Sequence, residues 1–470
     1  MNHHRYFAAA KRPVETCLVG TGSFGRSFLA QARRVPLMRA RVAVDVDART
    51  AAEALAAVGV ARAEIALCAT AAEARAAWEA GRTIAAGDLA AVLDLPFEVV
   101  LEATGHPEAG ARHARLAVEA GRHLVLVTKE VDSVVGPGLS RAAAERGRVV
   151  TPVDGDQPSL LIGLVTWAET LGFTIVAAGK SSEYDFVLDA ARETMTSNAV
   201  TVPAPGFAAH WDLGARPVRE VVDARARIAA ALPQRTVPDL CEMLIVANAT
   251  GLGCDRADFH APIARIGEVP TILATETDGG LLAGERRLDV FNCLRAPHEI
   301  SFAGGIFVIV RCDHPPTWDM LRGKGHILSR TGATAMLWLP RHLLGLEAAT
   351  SVLEAAVLGR SSGGEEPRPS LDLAARAEVD IAAGTVLTAA GHHHQIAGLA
   401  GVLVPAAPLA PASPVPYYLA ANRRLLRPLA RGEVLACGDV EIDQFSELYR
   451  LRRQQDAAFF GSASGRTRLA

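Results

Sequence analysis

Short apolar runs alternate with longer helical stretches over the first 150 residues of the chain. The runs with a strand pattern are residues 14–19, 41–46, 97–103, 123–127 and 148–150. The stretches with helical character are residues 26–35, 48–90 and 107–120. Strands that alternate with helices in this way predict a parallel, doubly wound sheet with helices on both faces.

The pattern changes after residue 150. An apolar run at 173–178 and an alternating stretch at 288–312 predict further strands, and residues 187–227 are predicted to be irregular because they are rich in proline, glycine and arginine. Residues 240–249 form an apolar run that one glutamate interrupts. We therefore expect an α+β domain with a largely antiparallel sheet, which would carry the substrate site and a subunit interface.

The last hundred residues show a third pattern. Residues 377–387 and 426–435 echo each other, since both combine an alanine, a glycine and a closing Val-Leu pair, and this is typical of paired strands in a small barrel. The predicted organisation is a doubly wound domain at 1–152, an α+β domain at 153–357, a Gly- and Pro-rich linker at 358–370 and a small β-rich domain at 371–470.

Composition narrows the class of protein. The chain has 470 residues, half of them apolar, and a formal net charge of -3, which gives no sign of a nucleic-acid or anionic-membrane partner. Seven scattered cysteines without a C-x-x-C pair argue against a disulfide framework or a zinc site. The N-terminus lacks the apolar core of a signal peptide, and the apolar run at 396–411 is broken by prolines. We expect a cytoplasmic protein.

A glycine motif connects the first predicted strand to the first predicted helix. Its six residues are Gly20, Thr21, Gly22, Ser23, Phe24 and Gly25. In a G-x-G-x-x-G turn the first glycine allows the tight turn, the second lets a pyrophosphate approach the backbone, and the third lets the helix pack on the strand. The motif therefore predicts a dinucleotide site, with the phosphates at the N-terminus of the helix.

The preference between NAD and NADP stays open. Asp45 lies twenty residues after Gly25, where a ribose-binding acid is expected, and its charge favours NAD. Arg49 offers a partner for the 2′-phosphate of NADP, and Asp47 is a competing choice for the acid.

Two further turns follow predicted strands of the same sheet. Thr104 and Gly105 end the strand at 97–103, and Lys129 ends the strand at 123–127. Because ligands bind at the carboxyl ends of parallel strands, we expect Thr104 and Gly105 to border the nicotinamide and Lys129 to contact the substrate or the cofactor. His106, in the same loop, is more simply explained as a solvated residue.

The stretch from Thr151 to Asp185 carries most of the candidate chemistry. Asp154 and Asp156 follow a strand end two residues apart, a spacing at which carboxylates can converge on a divalent cation. Lys180, Ser181 and Ser182 supply a positive charge and two hydroxyls, which suit a phosphate.

Residues farther along the chain extend this set. Glu242 interrupts an apolar run, and a carboxylate there is costly to bury unless it is paired or bound to metal, so Glu242 is a candidate third metal ligand or a helix residue that meets solvent. Lys324 and His326 lie in a glycine-rich basic turn, which is a second phosphate clamp or a solvated loop. The tract His392-His393-His394 looks like a metal site, but strand alternation would split its side chains between two faces.

The motifs resemble one family. Thr-Lys129-Glu130 and Pro152-Val-Asp154-Gly-Asp156 are similar to the Asn-Lys-Glu and Pro-Val-Asp-Ser-Glu segments of 1-deoxy-D-xylulose 5-phosphate reductoisomerase. GTGSFG, GDQP, GKSSEYDF, VANATGL, CLRAPHEISFAGG, GKGHILS and GHHHQI resemble the divergent reductoisomerase-like proteins, often labelled homoserine dehydrogenase-like, which carry a C-terminal SAF-type domain. The resemblance covers roughly residues 14–450.

The resemblance implies an enzyme that isomerises and reduces a sugar phosphate, 1-deoxy-D-xylulose 5-phosphate to 2-C-methyl-D-erythritol 4-phosphate, in isoprenoid precursor synthesis. It implies NADPH (with NAD as the alternative), Mg²⁺ or Mn²⁺, and a homodimer formed through the central domain. Carried over by position, Asp154, Asp156 and Glu242 would hold the metal, and Lys180, Ser181 and Ser182, helped by Lys324 and His326, the substrate phosphate. Asp156 replaces a glutamate of the family, and the Asn-Lys pair expected just before Glu242 is absent.

Two other classes of function compete with this one. An NAD(P)-dependent dehydrogenase of homoserine or of a related small polyol or sugar acid would need neither the metal nor the phosphate clamp. A non-catalytic dinucleotide-responsive binding protein would bind the cofactor and turn over nothing.

Overall fold

Two separate β-sheets organise the chain in the computed structural model, which describes residues 2–391 and 394–461. The first sheet belongs to a unit made of residues 1–155 and 343–470, and the second to a unit made of residues 156–342. The predicted boundary at 152/153 lies three residues before the first change of unit. The stretch predicted as a fourth segment, 371–470, falls in the same unit as the N-terminal sheet.

The N-terminal part of the first unit alternates strands and helices. The strands are β1 (Val14–Val19), β2 (Met38–Val44), β3 (Ile65–Cys68), β4 (Thr83–Ala86), β5 (Val99–Glu102), β6 (His123–Leu126) and β7 (Val150–Pro152). The helices are α1 (His3–Tyr6), α2 (Ser23–Ala32), α3 (Ala48–Ala57), α4 (Ala71–Glu79), α5 (Pro107–Glu119) and α6 (Lys129–Ala144).

All strand pairs of this sheet are parallel, in the order β3-β4-β2-β1-β5-β6-β7. The predicted doubly wound fold is confirmed. Strand order reverses between β1 and β5, and in such sheets the ligand crevice lies at that switch point. The prediction of helix throughout 48–90 is wrong, because β3 and β4 interrupt it. Each has only four residues, too few to show a period-two pattern, so tertiary pairing makes it a strand.

The second unit mixes helices with a larger sheet. Its helices are α7 (Gln157–Thr170), α8 (Val218–Ile228), α9 (Val237–Thr250), α10 (Val269–Ile272) and α11 (Pro315–Gly323). Its strands are β8 (Ile175–Ser181), β9 (Phe186–Asp189), β10 (Thr194–Ser197), β11 (Val200–Pro203), β12 (Ile263–Ala264), β13 (Arg287–Arg295), β14 (Ile306–Arg311), β15 (Ile327–Leu328) and β16 (Thr334–Leu339).

The order of this sheet is β11-β10-β9-β13-β8-β14-β16-β15, with β12 beside β13. The outer pairs are antiparallel, as predicted, but β13 is parallel to all three of its partners, β8, β9 and β12. The prediction that 187–227 is irregular is wrong, since β9, β10, β11 and α8 occupy it. Glu193 and Ala199 have positive φ in the turns there although they are not usual turn residues, whereas Asn198 is one.

The C-terminal part of the first unit contains short elements. They are α12 (Ala349–Leu353), β17 (Leu371–Ala377), β18 (Ala389–Ala390), β19 (Gln395–Ile396), β20 (Leu399–Pro405), α13 (Tyr417–Ala420) and α14 (Glu447–Phe460). The two echoing segments do pair, because Ile381 and Leu429 exchange backbone hydrogen bonds of 2.9 Å. Helix α14 packs on α5 and α6, and Arg115 of α5 pairs with Glu447 at 2.7 Å. Within residues 2–391 and 394–461, no helix has the length and apolar character needed to cross a membrane.

Candidate active site

The glycine turn after β1 has the geometry that a dinucleotide needs. Gly20 has φ +94°, and a Cβ there would lie 2.5 Å from the carbonyl oxygen of Ala103, so this turn lies directly against the turn after β5. A Cβ on Gly25 would collide with the carbonyl of Gly20, whereas a Cβ on Gly22 would meet open space. The exposed backbone at Gly22 and Ser23 is therefore the part that a pyrophosphate could approach.

The structure separates the two candidate ribose acids. The Asp45 Oδ2 atom accepts hydrogen bonds from the Thr21 amide (2.7 Å) and hydroxyl (2.5 Å), which ties the end of β2 to the glycine turn. Asp47 instead caps α3, and the bonds it accepts from the Thr50 and Arg49 amides lower the pKa of its carboxyl. Asp45 is thus the acid at the crevice, and Arg49 is exposed on the first turn of α3.

The other predicted turns of this unit also lie at the carboxyl ends of strands. Thr104 and Gly105 follow β5, and the Gly105 amide donates to the Thr128 hydroxyl at 3.0 Å. Lys129 begins α6 directly after β6 and is partly buried. These residues therefore do follow the carboxyl ends of their strands, while their contacts with a ligand stay a prediction.

In the second unit, two helices begin at the carboxyl end of β8. Asp156 caps α7 by accepting from the Gln157 amide at 2.9 Å, and Thr236 caps α9. Gln157 is 3% exposed, and neither its Oε1 nor the buried Ser181 hydroxyl has a hydrogen-bond partner among the described residues. Helix N-termini and polar atoms of this kind favour a polar or anionic ligand.

A buried charge cluster lies at the same place. The Lys180 side chain is 1% exposed, and its ammonium contacts the Glu242 carboxylate and lies 2.9 Å from the Asp239 Oδ1. The other Asp239 oxygen accepts from the Ser182 and Thr236 hydroxyls, each at 2.8 Å. We call Lys180, Ser182, Asp239 and Glu242 the β8–α9 cluster. Its two carboxylates stand three residues apart on α9, so both face β8.

The structure brings together only part of the predicted substrate set. Lys180, Ser182 and Glu242 meet, and the interpretation of Glu242 as a residue that faces solvent is wrong, because it is 2% exposed. Lys324 and His326 are exposed beside β15, the edge strand three strands from β8, which at the usual strand spacing is roughly 14 Å. Sequence reasoning missed Asp239, although the pattern Thr-Val-Pro-Asp at 236–239 is a helix-capping signal that predicts its position.

The predicted metal ligands do not fit a cation site as they lie. Glu242 is compensated by the Lys180 ammonium, and Asp156 is engaged in capping α7. Asp154 belongs to the other unit, where its amide donates to the Ser351 hydroxyl at 2.7 Å. In the parts of the chain that the structure describes, no group of three or more His, Cys, Asp or Glu side chains is arranged to hold a metal ion.

Two histidine sites complete the candidate chemistry. His260, which sequence reasoning missed, pairs through Nδ1 with the Asp289 carboxylate of β13 at 2.7 Å. The Asp289 side chain is buried, and the His260 side chain is 11% exposed. In the histidine tract, His392 and His393 lie outside the described residues. The Nε2 atom of His394 lies 2.8 Å from the carbonyl oxygen of Gly105, and its ring meets His106 edge to face.

A comparison with known families finds a match that covers the second unit. Residues 155–348 match the family described as "Oxidoreductase DRL, catalytic domain". No curated protein matches the chain.

Solved structures resemble the chain weakly. One is an NAD binding oxidoreductase from Klebsiella pneumoniae, with 15% identity over 36% of this chain and 43% of that chain and a TM-score of 0.28. Another is GenD2 from gentamicin A biosynthesis in complex with NAD, with 15% identity over 75% of this chain and 88% of that chain and a TM-score of 0.34. A third is DOX-P reductoisomerase in complex with NADPH, fosmidomycin and magnesium, with 16% identity over 50% of this chain and 57% of that chain and a TM-score of 0.28. The chain spans less than half of the Klebsiella protein and 57% of the reductoisomerase.

The family match and the architecture of the chain agree. The parallel sheet of the first unit carries the dinucleotide motif at its switch point, and the second unit carries the matched catalytic region. Residues 155–348 thus match an oxidoreductase catalytic domain, and the first unit carries a G-x-G-x-x-G turn at the switch point of its sheet.

Proposed function

We propose that the protein transfers hydride between a nicotinamide dinucleotide and a small polar substrate with a hydroxyl or carbonyl group, with Lys180 handling the proton. The observation that carries this proposal is the β8–α9 cluster, which lies inside the region matched to an oxidoreductase catalytic domain. When bound, the dinucleotide supplies or accepts the hydride.

The cluster has the properties of an acid–base group. Two carboxylates this close favour the ammonium form of Lys180 over the neutral amine. An ammonium is the proton donor that a carbonyl oxygen needs as it becomes an alcohol, and the neutral amine takes that proton back in the oxidation direction. Ser182 reaches the same Asp239 carboxylate, so its hydroxyl continues the hydrogen-bonded chain toward the end of β8.

The surroundings of the cluster favour a polar substrate. The N-termini of α7 and α9, the Gln157 amide and the Ser181 hydroxyl gather hydrogen-bonding groups at the carboxyl end of β8. A hydroxy acid, a polyol or a sugar phosphate would satisfy them, because all three present several hydrogen-bonding oxygens.

The reductoisomerase reaction on 1-deoxy-D-xylulose 5-phosphate is the second candidate. The catalytic-domain match at 155–348 favours it, together with the motifs GKSSEYDF and VANATGL inside that range. It requires Mg²⁺ or Mn²⁺, for which Asp154, Asp156 and Glu242 are the predicted ligands. The pairing of Glu242 with Lys180 does not support that ligand set, so this reaction ranks second.

The test is oxidation of NADPH and NADH by the purified protein. The substrates are a panel of oxo acids, ketoses and sugar phosphates that includes 1-deoxy-D-xylulose 5-phosphate, each with and without manganese or magnesium. Turnover that needs no divalent cation supports the first candidate. Turnover of the sugar phosphate that needs the cation and is blocked by a phosphonate hydroxamate supports the second.

Variants then separate catalysis from structure. Lys180→Met should abolish turnover and keep dinucleotide binding, which belongs to the other unit. The double variant Lys180→Met/Glu242→Gln removes one charge of each sign, so it should regain stability without regaining activity. If the double variant is as active as the wild type, Lys180 has only a structural role and the proposal is wrong.

A further inference from the structure

The turn after β5 lies on the dinucleotide crevice and is held from several sides. The Thr104 amide and hydroxyl donate to the buried Glu102 carboxylate at 3.2 and 2.5 Å, and the Gly105 amide donates to the Thr128 hydroxyl. A Cβ on Gly20 would lie 2.7 Å from the Thr104 nitrogen, so whatever binds over the glycine turn borders Thr104 and Gly105.

The Gly105 carbonyl of this turn is held by a residue from the far end of the chain. The Gly105 carbonyl accepts from His394 Nε2 at 2.8 Å, across 289 residues of sequence. The His394 ring packs edge to face on His106, at 5.2 Å between ring centroids. The Nδ1 atom of His106 in turn accepts from the Ala109 amide, which caps α5. The imidazole of His394 therefore contacts both the backbone and the side chains of the turn.

The backbone of His394 has a left-handed conformation where its side chain makes this contact. It has φ +49°, in the left-handed region that non-glycine residues rarely occupy. It directly precedes β19, and its amide donates to the Gly391 carbonyl at 3.3 Å. Strain of this kind persists where the surrounding contacts require it, and it is found most often at functional sites.

We infer that His394 is a positioning residue of the dinucleotide site. By donating to the Gly105 carbonyl, it holds the turn that borders the nicotinamide end of the crevice, so less of this turn has to be ordered when the dinucleotide binds. The C-terminal segment thus adds a contact to a site whose glycine turn and β5 turn come from residues 1–155. This inference rests on one part of the proposed function, the binding of a dinucleotide. It does not depend on the substrate chemistry.

The test compares three variants by fluorescence titration with NADPH and NADH and by steady-state kinetics. His394→Gly removes the imidazole and relieves the backbone strain, so a change in binding cannot be ascribed to a strained turn. His394→Gln keeps a donor of similar reach. His298→Ala, at an exposed histidine of the other unit, is the control.

His394→Gly should raise the Kd and the KM of the dinucleotide on the order of fivefold, the loss expected for one hydrogen bond. The KM of the substrate should stay unchanged, and His394→Gln should recover most of the affinity. Wild-type affinity in His394→Gly overturns the inference, and so does an equal rise in both KM values, which indicates a general loss of structure. A wild-type protein that binds no dinucleotide overturns the inference and the proposed function together, whereas binding without turnover overturns only the latter.

Discussion

The glycine turn of the first unit and the β8–α9 cluster of the second are built in opposite ways. The turn uses six consecutive residues, exposes its backbone at Gly22, and depends on missing side chains. The cluster joins residues 57 and 62 positions apart in the chain, buries them almost completely, and depends on full charges. A dinucleotide site of this kind is therefore sensitive to added volume, and the cluster is sensitive to a lost charge.

The largest expected effect is the loss of one charge from the cluster. Lys180→Met leaves two buried carboxylates without their ammonium, and breaking a buried pair in this way costs about 3–5 kcal/mol. The free energy of unfolding, measured with urea, should fall by that amount, while Lys324→Met at an exposed site should change it by less than about 0.5 kcal/mol. An equal, small effect of both substitutions would mean that the cluster is not a buried ion pair in solution.

The next effect is steric and belongs to the glycine turn. Gly25→Ala places a methyl group against the Gly20 carbonyl, so we expect a lower Tm and loss of dinucleotide binding. Gly22→Ala is the matched control, because its Cβ meets no atom within 4 Å. Gly22→Ala should keep the wild-type Tm. Any loss of dinucleotide binding in this variant should come only from contact between its methyl group and the pyrophosphate. If Gly25→Ala binds NADPH as well as Gly22→Ala does, Gly22 and Gly25 have no separate roles.

An effect that depends on pH tests a carboxyl group of the first unit. Burial raises the pKa of Asp132, on α6 of the first unit, to about 7. Between about pH 4 and 7 the folded protein keeps a proton that the unfolded chain has lost, so stability should fall as the pH rises, by at most about 1.4 kcal/mol per pH unit.

Asp132→Asn removes this titration and should flatten the dependence between pH 4 and 7, measured by urea unfolding at each pH. Asp94→Asn, at an exposed aspartate, is the control and should keep the wild-type slope. A wild-type slope in Asp132→Asn would show that another group is responsible.

The smallest expected effect concerns the choice of dinucleotide. The Asp45 carboxylate stands at the end of β2 beside the glycine turn, where it repels a 2′-phosphate. Asp45→Asn should raise kcat/KM for NADPH relative to NADH about tenfold, a change of about 1.4 kcal/mol. Asp47→Asn, which affects only the cap of α3, should leave the ratio unchanged. Equal ratios in both variants would place the ribose specificity elsewhere, with Arg49 as the next residue to test.

The candidate site was predictable where contacts are local. Gly20, Gly22 and Gly25 lie as the motif requires because a turn between strand and helix is determined by neighbouring residues. Asp239 was not predicted, since its role appears only when α9 packs on β8. The separation of Lys324 and His326 from Lys180 was not predictable either, because strand order decides it.

The sequence by itself determined the doubly wound sheet and the residues that follow the carboxyl ends of its strands. These follow from apolar periodicity and from glycine positions, which act over a few residues. Only the tertiary structure decided that Glu242 meets Lys180 and that His394 reaches Gly105, which are pairs 62 and 289 residues apart. Such partners are selected by the packing of whole elements, and a buried charge or a strained histidine looks no different from a solvated one until that packing is known.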